Sequence, residues 1–401
     1  IMNTRTKIGV VSMVSLNLSG VVAGSAIASI AQSFPDIPIS TVQLLMTLPG
    51  LGSLFVTLIA GQLAMKISKK TLSLLGIALI TIGGLLPSVF NQSIYGMMLC
   101  SIVLGSGLGF VTTINPMLVS EYFDGEERSS VMGMSTGATS LGGMILMALG
   151  GVLGASNWRH LYWVYGIGVL VFLIILFCLP KDKPRLNNPD LQVKKQSAIK
   201  MIKELNPYTL VIYVAIFVMV VAYNAYMANL SLVVFEKQIG DTALVGLINA
   251  VGTVGGILAG FGFAVIRKLT KPNTLAFGFI CTGLSLLITY LGQHLVFLII
   301  GAILSGIGMV AVMASSPFLL SMLSKPHHIP IVMTIYAFVN GLAGAFAPTI
   351  ISSLGVAVGG PSLFFGFVIA TVTGLVLFIL QFGKRTESGQ LLQPTTINEK
   401  A

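Results

Sequence analysis

Apolar residues run through this chain in long stretches, and polar residues collect in the short gaps between them. Crossing the hydrocarbon of a bilayer takes roughly 20 apolar residues in a helix. Twelve stretches reach that length, at about 8–31, 41–65, 71–90, 94–118, 130–153 and 158–179, then about 207–234, 242–266, 272–291, 294–322, 329–354 and 362–383. Gly and Pro interrupt several of them, which membrane helices tolerate because neighbouring helices re-satisfy the freed backbone groups. The alternating pattern of an outer-membrane barrel does not recur. The pattern predicts an all-α polytopic membrane protein with twelve transmembrane helices.

Composition supports this. Hydrophobic residues make up 55% of the chain and charged residues 8%, which excludes an ordinary soluble domain. The charges then set the threading. With the N-terminus inside, inner connections hold Arg5, Lys7, Lys66, Lys69, Lys70, Arg128, Lys181, Lys183, Arg185, Lys194, Lys195, Lys200, Lys203, Arg267, Lys268, Lys271, Lys325, Lys384, Arg385 and Lys400, whereas outer ones hold Arg159 and Lys237. By the positive-inside rule this puts both termini in the cytoplasm of a plasma or inner cell membrane. The net charge of +10 is therefore a matter of topology, and the scattered basic residues form no nucleic-acid face. Cys100, Cys178 and Cys281 fall inside spans and read as small packing residues. The first span starts like a signal peptide, but its length and the lack of a cleavage site make it a true helix.

A repeat organises the twelve spans. Shifted by 201 residues, Ile102, Gly105, Gly107, Val111, Pro116, Leu118 and Ser120 meet Ile303, Gly306, Gly308, Val312, Pro317, Leu319 and Ser321. Val131, Met132, Leu141, Gly143 and Leu153 meet Val332, Met333, Leu342, Gly344 and Leu354; Thr41, Gly61 and Lys66 meet Thr242, Gly262 and Arg267. Basic connections fall on the same side in both copies, so the halves are parallel and each holds an even number of spans. The division expected is an N-terminal six-helix bundle at 1–179, a cytoplasmic linker at 180–206, a C-terminal six-helix bundle at 207–383 and a cytoplasmic tail at 384–401. The paired glycines are expected to let helices approach closely; no strand precedes them, so they are not a dinucleotide fingerprint.

Short motifs carry a family resemblance. Between spans 2 and 3 stand Gly61, Leu63, Ala64, Lys66, Lys69 and Lys70; after span 4 stand Phe123, Glu127 and Arg128; before span 6 stand Asn157, Trp158 and Arg159. The chain resembles the major facilitator superfamily over essentially its whole length, in a bacterial form, with partial resemblance to its drug-efflux branch. That branch carries a Gly-rich span 5, matched here by Gly142, Gly150 and Gly151, with Leu146 and Met147 in place of its Gly-Pro pair. Ser101 stands where exporters carry an Arg in span 4. The resemblance implies two pseudo-symmetric six-helix bundles working by alternating access, with Gly61, Lys66, Lys69, Lys70, Glu127 and Arg128 in the gating loops. Met65 occupies the place of the family's acidic residue and Ser68 that of its second Gly, so the family's charge latch is altered here.

The resemblance also implies a substrate cavity near mid-bilayer, lined by spans 1, 4, 7 and 10 with 2, 5, 8 and 11 beside them. Polar residues on those spans are the candidate substrate ligands: Tyr223, Tyr226 and Asn229 on span 7, Tyr336 and Asn340 on span 11, Asn115 on span 4 beside Thr112, Thr139 on span 5 beside Ser135, Asn17 on span 1, Gln43 on span 2 and Asn249 on span 8. Hydroxyls and amides without a buried charge suit a neutral or amphipathic organic molecule. A lone Asn or Gln can instead bond a neighbouring helix. No catalytic constellation, metal-ligand cluster, Walker loop or cofactor motif stands out, so an enzyme is not expected, nor any cofactor or metal. The expected partners are a small-molecule substrate, the lipid bilayer and, if transport is coupled, a proton through a rim carboxylate such as Glu121. A monomer is expected. Efflux is the first reading; uptake or facilitated diffusion of a neutral metabolite, and a non-transporting membrane sensor or lipid-handling protein, are the alternatives.

Overall fold

A computed structural model describes residues 2–123, 125–181, 204–325 and 328–391. Most of the expected linker, 182–203, and the end of the tail, 392–401, lie outside the described residues. Twelve helices are long and apolar enough to cross a membrane, which makes this a multi-pass membrane protein. They are α1 (Thr4–Ser33), α2 (Ile39–Lys66), α3 (Lys69–Leu85), α4 (Ile94–Tyr122), α5 (Gly125–Gly154) and α6 (Trp158–Cys178). The second set is α7 (Thr209–Glu236), α8 (Thr242–Phe261), α9 (Thr274–Leu291), α10 (Leu295–Leu323), α11 (Ile329–Ser353) and α12 (Gly360–Ile379). No strand occurs among the described residues. In lipid no water satisfies exposed N–H and C=O groups, so a helix, which pairs them internally, is what an apolar segment of this length must form.

The repeat is visible in the architecture. Moved by 201 residues, α4 falls on α10 from end to end, and α6 falls on α12 with one residue to spare. Gly52 of α2 and Gly105 of α4 each press against the other helix, where a Cβ would strike backbone of Ile102 or Pro49. Gly255 of α8 and Gly306 of α10 do the same against Ile303 and Gly252. Close approach between apolar helices in lipid rests on such contacts, because burial from water supplies no drive there. Large side chains such as Phe177 and Phe261 point away from the protein, as lipid-facing residues do. Two apolar cores result. One is built on α1 to α6 around Met13, Phe123 and Tyr165, the other on α7 to α12 around Tyr226 and Phe279.

Three of the spanning elements depart from straight α-helix: α6 winds as 3₁₀-helix over Tyr162–Gly166, and α1 and α8 are broken as follows. In α1, Val14–Leu16 and Ser19–Ala26 wind as 3₁₀-helix. Side chains of other helices hold the carbonyls beside this break: Asn115 Nδ2 donates to Val10 O at 2.8 Å, and Thr139 Oγ1 to Val14 O at 3.3 Å. Helix α8 ends at Phe261, and the chain runs on through Gly262 as a second helix, Phe263–Thr270. The sequence pattern predicts one span over 242–266, and the break at Gly262 divides it.

Lysines fasten the ends of two helices. Lys70 Nζ donates to Leu176 O and Leu179 O, at 2.7 and 2.6 Å, at the C-terminus of α6. Lys237 Nζ donates to the carbonyls of Thr289, Tyr290 and Gly292 at the C-terminus of α9; burial pulls its pKa below the usual lysine value, and Glu236 opposes that. After α12 a short helix, α13 (Phe382–Glu387), buries Phe382 and Thr386. Its Glu387 pairs with Arg267 at 2.6 Å, and Asn206 Nδ2 donates to Leu391 O at 2.8 Å. The first residues of the expected tail are thus packed on the second bundle.

Candidate functional site

The two bundles meet through small and polar residues in the half of the molecule away from the basic connections. Asn229 of α7 is buried, and its Oδ1 accepts from Gln43 Nε2 of α2 at 3.0 Å and from the backbone N–H of Gly359 at 2.7 Å. Gln43 Nε2 also donates to Ala228 O at 3.0 Å. Thr47 Oγ1 donates to Ala345 O at 2.8 Å, and Ser231 Oγ accepts from Ala28 N at 2.9 Å. Ser29 and Thr242 bond hydroxyl to hydroxyl at 3.1 Å, and Asn249 Nδ2 reaches Ser25 Oγ at 3.4 Å. Gly151 and Gly246 bring α5 and α8 together with almost no space between their backbones. Three of the expected substrate ligands, Gln43, Asn229 and Asn249, therefore sit in a seal between the bundles. Above the seal a cavity of about 410 Å³ opens between Ala28, Pro35, Phe235, Glu236 and Gly359.

On the basic-face side of that seal lies a second cavity, of about 260 Å³. The order along α1 shows the relation: Ser25, Ala28 and Ser29 are in the seal, Val14 and Asn17 in the cavity. Its polar walls are Asn17, Thr112, Asn115, Ser135 and Thr139, and none of its lining residues is charged. The structure so brings together Asn17, Asn115 and Thr139 of the expected ligands, joined by Thr112 and Ser135. The cavity lies at the break in α1, where Val14 and Asn17 stand against α4 and α5.

The remaining candidates belong to the second bundle. Tyr226 is buried in its core, near Ser305 but without a hydrogen bond of normal geometry among the described residues. Tyr223 is half-buried beside it. Tyr336 is half-buried and its hydroxyl meets Met313 Sδ at 3.2 Å. Asn340 is half-buried, and its neighbour Gly341 packs against Leu54 of α2. At the expected gating loop Gly61 is half-buried, Lys66 is exposed, and Lys69 pairs with Glu121 at 2.5 Å. The side chains of Glu127 and Arg128 lie outside the described residues. No group of His, Cys, Asp and Glu suited to a metal occurs among the described residues.

Sequence reasoning missed Thr47, Ser231, Ser25 and Ser29. Ser and Thr are ordinary in membrane helices, where they often bond the carbonyl one turn back, as Thr81, Thr289 and Ser316 do with Ile77, Ser285 and Val312. Nothing along the chain marks the few that reach across to the other bundle.

Comparison with known proteins agrees with this architecture. The profile described as Major Facilitator Superfamily matches residues 8–272 and 212–396. A "Protein TsgA homolog" of Erwinia tasmaniensis is 25% identical over 197 residues, covering 48% of this chain and 49% of that protein; the match spans about half the length of that curated relative. Among solved structures, the nucleoside transporter NupG superimposes with a TM-score of 0.78 at 11% identity, covering 95% of this chain and all of that one. The POT family transporter PepTSo gives 0.70 at 14% identity, covering 96% and 98%. A POT family transporter in complex with 5-aminolevulinic acid gives 0.70 at 15% identity, covering 96% of each chain. At these identities the likeness speaks for the fold.

Proposed function

The chain belongs to the major facilitator superfamily and is a membrane transporter of that family; from this premise we propose that it is a secondary transporter exporting a small neutral or amphipathic organic compound by alternating access. The observation that carries the reading is a polar, uncharged cavity on one side of a seal between the bundles. A charged cargo held away from water needs a counter-charge, and the cavity lining supplies none. The pairing of a seal on one side with a cavity on the other suits a carrier in which two parallel bundles rock about a central site. Export is favoured by the Gly142, Gly150 and Gly151 pattern of α5. The basic connections support a cytoplasmic position for both termini, and a single copy suffices for this arrangement.

The test is transport by the purified full-length protein in liposomes, with counterflow of uncharged and charged solutes. Inside-out and right-side-out membrane vesicles then give the direction. Saturable movement of uncharged compounds, concentrated in inside-out vesicles, is expected. Saturable movement of permanently charged compounds alone would overturn the neutral-cargo reading, and accumulation in right-side-out vesicles would reverse the direction.

A further inference from the structure

The cavity at the break in α1 holds polar atoms whose bonding is incomplete. Of its five polar side chains, three spend a donor inside the protein: Asn115 on Val10 O, Thr139 on Val14 O and Thr112 on Leu108 O, at 2.8, 3.3 and 2.9 Å. The other two are Asn17 and Ser135. The amide oxygen of Asn17 and the hydroxyl of Ser135 are buried, and neither has a hydrogen-bond partner among the described residues. Ser135 as a whole is only 8% exposed. Buried polar groups normally find a partner, and here both stand in the wall of one cavity.

The opposite bundle has no equivalent. At the places of Ser135 and Thr139 in the repeat stand Tyr336 and Asn340, and the Tyr336 hydroxyl already meets the Met313 thioether. One bundle thus presents unfilled hydrogen-bonding groups where the other presents a ring and a sulfur.

We propose that Asn17 and Ser135 form a specificity subsite for an uncharged hydroxyl or amide N–H group of the cargo. This deepens the neutral-cargo reading above and rests on it. The amide oxygen of Asn17 can only accept, so the cargo must bring a donor. Ser135 can donate or accept, which suits a hydroxyl, a carboxamide or a neighbouring pair of such groups. An ammonium group would satisfy the same oxygen but would enter a lining without a counter-charge.

The experiment uses the full-length protein in detergent and reads the thermal midpoint. The probes are uridine, myo-inositol, a hexose and N-acetylalaninamide, set against choline, glutamate and spermidine at equal concentrations. At least one uncharged probe is expected to raise the midpoint and the charged ones are not. Ser135→Ala and Asn17→Leu should each raise the half-saturating concentration of that probe at least tenfold, without lowering the midpoint of the unliganded protein, because no internal bond is lost. Ser135→Thr, which keeps the hydroxyl, should retain binding better than Ser135→Ala. Stabilisation by charged probes alone, by none of the probes, or an unchanged half-saturating concentration in Ser135→Ala and Asn17→Leu would overturn the subsite. A fall in the unliganded midpoint with unaltered affinity would show that the two groups serve packing. If liposome transport of uncharged solutes persists in both variants with unchanged KM, the subsite fails while the transporter reading stands.

Discussion

Asn229 uses its whole amide inside the protein: Nδ2 donates to Ala225 O at 2.8 Å, and Oδ1 accepts from Gln43 and Gly359. Truncation to Ala leaves the Gly359 N–H without its acceptor, while Gln43 keeps Ala228 O. Leaving a buried donor unpaired costs about 1–3 kcal/mol, so Asn229→Ala should lower the thermal midpoint of the protein in detergent. It should also raise the reactivity of a cysteine placed at Ala28 toward a membrane-impermeant thiol reagent, because the seal in which this residue stands loosens. An unchanged midpoint and unchanged labelling would show that the seal does not depend on this amide. The residue types were legible from the sequence: Asn, Gln and Tyr on the expected lining helices stand out against apolar neighbours. Their division was not. Asn229 and Asn17 are both single polar residues in apolar helices, yet one is fully bonded and the other has an amide oxygen without a partner. Partners at sequence separations above a hundred decide that, and local pattern carries no trace of them.

Elements were read well where hydrophobic length decides and poorly where geometry within a helix decides. Every expected span has its helix, because about 30 Å of hydrocarbon demands a run of that length. The 3₁₀ break in α1 was invisible, since α and 3₁₀ turns place apolar residues almost equally well over a few residues. What sustains it is the pair Asn115 and Thr139, on two other helices. The end of α6 offers a test of another local device. Lys70 holds the last carbonyls of that helix, and a cation at a helix C-terminus contributes about 0.3–1 kcal/mol when partly exposed. Lys70→Met should therefore speed amide hydrogen exchange near Cys178 and Leu179 while leaving the middle of α6 protected. Equal exchange in both proteins would show that the cap is ornamental.

At the scale of the molecule, the bundles are joined on one side, and on the other side of that join the first bundle holds a polar cavity. Thr47 and Ala345 face each other across the join, with Thr47 Oγ1 2.8 Å from the Ala345 carbonyl. In a background carrying Cys100→Ser, Cys178→Ser and Cys281→Ser, the pair Thr47→Cys and Ala345→Cys should accept a short bifunctional thiol cross-linker. Transport in liposomes should then stop, and a reducible linker should restore it on cleavage. Transport that survives complete cross-linking would exclude a cycle in which this side opens. The C-terminal attachment should matter less: Arg267 and Glu387 are partly exposed, and such pairs contribute about 0–1 kcal/mol, so Glu387→Gln should shift the midpoint little.

The sequence by itself determined that the chain crosses a membrane twelve times, because hydrophobic length is a local property that lipid converts directly into helix. It also determined the family and the parallel repeat, which a fixed offset records residue by residue. Only the tertiary structure decided which polar groups close the bundles against each other and which stand unpaired in a cavity. That distinction depends on where helices far apart in sequence come to lie, and on a broken helix whose freed carbonyls are held by side chains more than a hundred residues away.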